Sequence, residues 1–187
     1  MRCLLCEKLS WRYICPECDR SIDVRARIHN LRELKAITFY EFGDIEPLIK
    51  TKYYPFGSFV LKYLAIKAFK PFFSELKLDE SAALVPIDDR LNAWYSHSAL
   101  LAKAGAAGMI APRFGSLRAR SKEKYAGQTL AFRKSHPRRF IVKPFPETNA
   151  IILDDLITTG TTLLEAAAAL EKRDKNPLFA VALARAD

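Results

Sequence analysis

No stretch of this chain approaches the roughly 18 uninterrupted apolar residues that a membrane-spanning helix needs, although half of its 187 residues are apolar. Met1 to Tyr13 also lacks the basic start and apolar run of a secretory signal, so the expectation is a soluble, cytoplasmic protein. There is no internal repeat and no low-complexity segment, which sets aside repeat architectures. Cysteine is absent beyond Cys18, so any cysteine chemistry is confined to the first twenty residues, which hold too little apolar material to fold unaided. Acidic side chains are nearly missing from Arg113 to Lys143, where Glu123 alone stands against ten Lys or Arg. That imbalance carries the whole net charge of +9, because the other residues hold twenty basic and twenty acidic side chains. A partner or substrate rich in phosphate would meet this stretch, unless it is only a solvated basic loop.

What is present divides into two parts, a small module at 1–30 and a main domain at 31–187. Residues 34 to 42 are rich in aromatic and β-branched types and read as a strand, in a hairpin or alone. Asp44 to Tyr54 reads as a short helix interrupted by Pro47, and Ser58 to Leu76 as a longer amphipathic helix kinked or ended near Pro71. Short apolar runs then alternate with helical stretches, the signature of a parallel α/β sheet. Ala82 to Pro86, Met109 to Phe114, Asn149 to Asp155 and Leu178 to Ala184 are the strands. Leu91 to Gly105 and Thr161 to Arg173 are the helices, and Ser116 to Gly127 is a polar, basic loop.

The most informative segment runs from Ile151 to Thr162, an apolar strand ending in Asp154 and Asp155, a turn Thr158-Thr159-Gly160-Thr161-Thr162, and a helix. Ligands of open parallel sheets sit beyond the carboxyl ends of the strands, so the two acids would project into the crevice. Adjacent carboxylates there can accept hydrogen bonds from the vicinal hydroxyls of a ribose. The first N–H groups of the helix lack intrahelical partners and favour a phosphate, Gly160 lets the backbone approach, and a threonine would cap the helix. An ordinary strand-to-helix turn would explain neither the paired acids nor the run of threonines. The segment resembles the phosphoribosyl-pyrophosphate motif of type I phosphoribosyltransferases, which implies that fold for the main domain and binding of 5-phosphoribosyl-1-pyrophosphate by Asp154, Asp155, Thr158, Thr159, Gly160, Thr161 and Thr162.

Cys3-Leu-Leu-Cys6 and Cys15-Pro-Glu-Cys18 are two C-x-x-C pairs separated by eight residues, a spacing that lets four thiolates close a tetrahedral zinc site. Two disulfides or a redox pair are the alternatives, and neither suits a cytoplasmic chain with two such pairs so close. With four protein ligands no coordination position is open, so the zinc is assigned to folding and partner contact.

A four-cysteine module ahead of such a domain resembles the ComF family of bacterial competence proteins over essentially the whole chain. Lys50 to Ala65 is similar to the family's basic-aromatic stretch, Leu84-Val85-Pro86-Ile87 to its strand before the pyrophosphate loop, and Gln128, Arg133 and Phe140 follow its later spacing. Where the family often has Arg-Gly-Phe-Asn-Gln, this chain has Ala93-Trp94-Tyr95-Ser96-His97. The resemblance implies a role in natural transformation, in handling incoming single-stranded DNA at the cytoplasmic face of the inner membrane, with competence-machinery proteins as candidate partners.

A phosphoribosyl transfer would use magnesium bridging ribose and pyrophosphate oxygens. Asp88, Asp89 and Arg90 lie where the family's pyrophosphate loop would be, and Lys122 and Lys124 on a loop that could close over the site. The alternatives are a turn with a helix cap for the first group and solvated lysines for the second. His97 is read as structural rather than as a base. A competing reading is a non-catalytic module that tracks single-stranded DNA with the basic stretch, with Trp94, Tyr95, Tyr125 or Phe132 stacking on bases. A third lays the helix from Ser58 to Phe73 on anionic lipid through Lys62, Lys67 and Lys70, against a core helix with lysine stems along its edge.

Overall fold

The computed structural model describes residues 1–87, 95–120 and 138–186. Its core is a seven-stranded sheet in which every pairing is parallel except the first. The strands are β1 (Arg27–Leu31), β2 (Leu34–Glu41), β3 (Ala82–Pro86), β4 (Ile110–Pro112), β7 (Asn149–Leu153), β8 (Leu156–Ile157) and β9 (Asn176–Arg185). They run in the order β1-β2-β9-β7-β3-β4, with β8 also paired to β9. A separate antiparallel ribbon joins β5 (Leu117–Ala119) to β6 (Phe140–Val142). The α/β, parallel-sheet expectation holds.

Alternation along the central strands decides what covers each face. Leu84, Ile151, Leu153, Val181 and Leu183 point to one side and pack against α2 (Phe42–Lys50), α3 (Gly57–Glu75) and α4 (His97–Gly105). Val85, Ala150, Ile152, Ala180 and Ala182 point to the other and pack against α5 (Thr161–Glu171) and the ribbon residues Leu117 and Val142. The small alanines on that second face let α5, itself rich in alanine, lie close to the sheet.

Several local expectations are revised. Pro47 does not interrupt its helix, because α2 starts at Phe42 and runs through it. The carbonyl that Pro47 leaves without a partner is that of Gly43, whose missing side chain keeps the surroundings open. Helix α3 likewise continues past Pro71 to Glu75. The polar stretch after Ser116 contains β5, a strand too short to show a period in sequence. β1, a strand the sequence pattern did not show, begins at Arg27. Leu91 to Trp94 lies outside the described residues, and α4 begins at His97, capped by the Ser96 hydroxyl accepting from the Ala99 N–H at 3.2 Å.

Helix α3 is a core helix. Leu61, Leu64, Phe69 and Phe73 are buried, and Lys67 is held by Asp19 at 2.5 Å, so the three lysines do not form one free cationic side. No described helix is long and apolar enough to cross a membrane.

Candidate functional site

Strands β3, β7 and β9 are parallel neighbours, so their carboxyl ends open on one edge, and the paired acids sit there. Asp154 and Asp155 occupy the break between β7 and β8, and the backbone stays tied to β9 across that break. The Asp154 N–H donates to Val181 at 3.0 Å and the Leu183 N–H donates to Asp155 at 3.2 Å. The Asp154 Oδ1 accepts from the Asp155 N–H at 2.8 Å, which fixes the first carboxylate against the chain. Beside it, the Ile87 N–H donates to the Leu153 carbonyl at 2.9 Å, so the segment that follows β3 starts next to the acids. Asp88, Asp89 and Arg90 of the expected pyrophosphate loop, and Lys122 and Lys124 of the expected lid, lie outside the described residues.

The second carboxylate has a partner that sequence reasoning missed. Lys52 Nζ donates to Asp155 Oδ2 at 2.6 Å, across 103 residues of chain. Both side chains are nearly buried, at 17% and 14% exposure, so solvent screens the pair little. Burial opposes the charge on Lys52, but attraction to Asp155, with help from Asp154, outweighs it and holds the ammonium above its ordinary pKa. Only the basic-aromatic character of Lys50 to Ala65 hinted at this lysine.

A braced turn carries Lys52. The residues Thr51–Tyr53 form a 3-10 turn in which the buried Thr51 hydroxyl donates to the Leu48 carbonyl at 2.6 Å. The Lys52 carbonyl lies 2.9 Å from His97 Nε2 and accepts from the Tyr95 hydroxyl at 3.4 Å. Both rings pack edge to face, and His97 also meets the Tyr53 ring. His97 thus braces the turn that carries Lys52. Tyr95, named earlier as a stacking candidate, belongs to this brace, while Trp94, Tyr125 and Phe132 lie outside the described residues.

After β8 the chain turns through Thr158, Thr159 and Gly160 into α5. Gly160 is the N-cap, at φ +74°, a left-handed backbone that side chains resist, and an added Cβ would come within 2.8 Å of Leu31. The expected threonine cap is not formed: the helix start has no side-chain cap. Instead the Thr159 hydroxyl lies 3.0 Å from that of Thr161 and accepts weakly from its N–H at 3.4 Å. Glycine at the cap leaves the helix entrance lined by backbone and by small hydroxyls, a surface suited to an oxyanion.

In the N-terminal module the four cysteines converge. Their sulfurs all lie within 4.8 Å of one another, and Cys6 and Cys15 are 3.7 Å apart. A tetrahedron with zinc–sulfur bonds of about 2.3 Å has sulfur–sulfur edges of about 3.8 Å, so the donor set fits zinc. Backbone N–H groups support it: Cys15 donates to the Cys3 sulfur at 3.3 Å and Cys18 to the Cys15 sulfur at 3.5 Å. Burial works against a Cys3 thiolate, yet backbone hydrogen bonds from the loop lower its pKa to about 6. The Cys18 thiol, hydrogen-bonded to Cys6 and desolvated, is pushed up to about 12. Four sulfurs this close cannot all ionise without a cation among them.

The module is fastened to the main sheet's helices. Asp19, on α1 (Pro16–Ser21), accepts from Lys67 and, in a very short contact, from the Tyr63 hydroxyl. Tyr13, between the two cysteine pairs, stacks on Phe56 with centroids 5.5 Å apart, and Phe56 in turn stacks on Tyr54 at 5.5 Å. The cysteine module thus leans on the segment that carries Lys52.

No family model matches the sequence, and no curated protein matches it. Among solved structures, the chain is similar to an adenine phosphoribosyltransferase at 18% identity, over 91% of this chain and 90% of that one, with a TM-score of 0.45. An adenine phosphoribosyltransferase from Saccharomyces cerevisiae, complexed with an imino-altritol bisphosphate and adenine, is similar at 19% identity, over 87% and 84%, with a TM-score of 0.43. Orotate phosphoribosyltransferase from Aeropyrum pernix gives 14% identity, 90% and 76% coverage, and a TM-score of 0.38. At such scores the likeness is descriptive, and the chemistry of the site stands on its own residues.

Proposed function

We propose that the main domain is of the type I phosphoribosyltransferase type and binds 5-phosphoribosyl-1-pyrophosphate, with residues 1–30 as a structural zinc module. The observation that carries this reading is the placement of Asp154 and Asp155 in the break between β7 and β8, directly ahead of the Gly160 turn. The carboxylates would accept the ribose 2- and 3-hydroxyls, and the backbone and hydroxyls of Thr158 to Thr162 would hold the 5-phosphate. Magnesium, when bound with the ligand, would neutralise pyrophosphate charge. Asp88, Asp89 and Arg90 would meet the pyrophosphate, and Lys122 and Lys124 would close over it.

Isothermal titration with the sugar diphosphate and magnesium tests this. The parent is expected to bind, and an Asp154→Ala, Asp155→Ala variant of unchanged circular dichroism to bind about 100-fold more weakly, because two charged acceptors are lost. Equal binding by both would remove the acids from the site.

The resemblance to the ComF family supports a wider role in natural transformation, in the cytoplasm at the inner membrane and alongside competence-machinery proteins. One observation favours single-stranded DNA as a partner in that role: Arg118, Arg120, Arg139 and Lys143 are exposed on and beside the β5–β6 ribbon. Such binding is expected to weaken steeply as salt rises, about tenfold or more between 50 and 200 mM, if several phosphates are neutralised. Absence of binding at low salt would retire it.

A further inference from the structure

We propose that Lys52 is a built-in counter-cation of the sugar-phosphate site, so that the acidic pair admits its anionic ligand without depending on a divalent metal. The inference rests on the reading of that site given above and adds to it a residue and a metal requirement.

Two adjacent carboxylates that grip a ribose also repel the phosphates the ribose carries. A cation must offset them, and a mobile metal ion arriving with the ligand is one solution. Here the fold supplies another, since an ammonium already rests 2.6 Å from Asp155 in a place that solvent hardly reaches. The turn that carries it is braced, and the ammonium has two further neighbours. The Lys52 backbone is held by Tyr95 and His97, the turn before it by Thr51, and the ammonium lies 5.4 Å from the centre of the Tyr53 ring, whose face attracts cations.

The other partly buried lysines are used differently. Lys175, at the amino end of β9, donates to the carbonyls of Phe145 and Glu147, and Lys67, on α3, donates to Asp19 and its carbonyl. Among the described residues, Asp155 is the hydrogen-bond acceptor that Lys52 meets. An ammonium has three donors, so it can keep Asp155 and still reach ligand oxygens. The attraction of both aspartates outweighs burial and holds its pKa above the ordinary lysine value, so it is charged at neutral pH.

The test compares titrations of 5-phosphoribosyl-1-pyrophosphate with and without magnesium. Solutions are passed over a chelating resin before the protein is added, and retention of zinc is checked afterwards. The parent is expected to lose less than about tenfold in affinity when magnesium is omitted, whereas Lys52→Met should lose about 100-fold without magnesium and recover most of it with magnesium. Lys52→Arg should follow the parent. Binding by the parent that vanishes without magnesium overturns the proposal and leaves the sugar-phosphate reading standing. Binding by Lys52→Met equal to the parent's in both conditions overturns it too. No binding by the parent under either condition overturns both. The parent comparison needs no variant, so a poorly folding Lys52→Met would not shelter the idea.

Discussion

A Cys15→Ser protein is expected to purify without tightly held zinc and with its first twenty or so residues unfolded. Helix α1 has no fully buried residue, and its module gives the apolar interior Ile14 and Ile22, with Leu4, Leu5, Tyr13, Cys18 and Val24 only partly buried against it. Burial therefore cannot supply what a metal would, for which apparent binding free energies of about 10–16 kcal/mol are typical of small structural zinc sites. Serine is the informative replacement. Cys15 is the N-cap of α1 and accepts from the Cys18 N–H, a role a serine hydroxyl performs well, so a loss of structure isolates the metal bond from the cap. Metal analysis of the native protein and hydrogen exchange across α1 measure it. A variant that keeps a full complement of zinc would show that the four sulfurs are not its ligands.

The second large effect concerns a glycine whose importance has nothing to do with unusual dihedral angles. Replacing Gly57 by alanine puts a Cβ 2.0 Å from the Thr51 carbonyl oxygen and 2.5 Å from its carbon. Helix propensity alone would predict a gain of about 1 kcal/mol at this helix position. The contact reverses the sign, because the obstructing atoms are backbone and cannot rotate away. The cost is expected to be about 3 kcal/mol, or roughly 6–12 °C in Tm for a chain of this size. The start of α3 or the Thr51–Tyr53 turn must shift, and Lys52 shifts with it, so affinity for the sugar diphosphate should fall even in protein that remains folded. Denaturant unfolding and titration together check this. An unchanged midpoint would mean that the turn yields freely.

The parts of the molecule that were legible in sequence are those governed by local pattern. β3, β7 and β9 announce themselves as apolar runs because both faces of the sheet are covered, and α5 follows from its threonine and alanine composition. The cysteine spacing foretold a convergent cluster, since four ligands on a short loop leave few other arrangements. Three-residue strands such as β5 and β6 carry no period to read, and β1 alternates polar residues across a half-exposed hairpin. The pairing of Lys52 with Asp155 was illegible for a different reason: neither residue's neighbours encode it, and only the sheet order brings them together. The Thr158 to Thr162 turn shows the reverse failure, in which a sound local rule chose threonine as the cap and the glycine took that place.

Strand β9 lies between β2 and β7 and also receives β8, yet of the sheet's strands it is made last. During synthesis β2 and β7 each present a bare inner edge until residues 176–185 leave the ribosome. The nascent chain thus travels as two unjoined half-sheets, one holding Lys52 on its following turn and the other Asp155, and a single late insertion completes the sheet and the charge pair together. Release before that strand would leave both edges bare and sticky, and neither half-sheet is closed until the insertion is made.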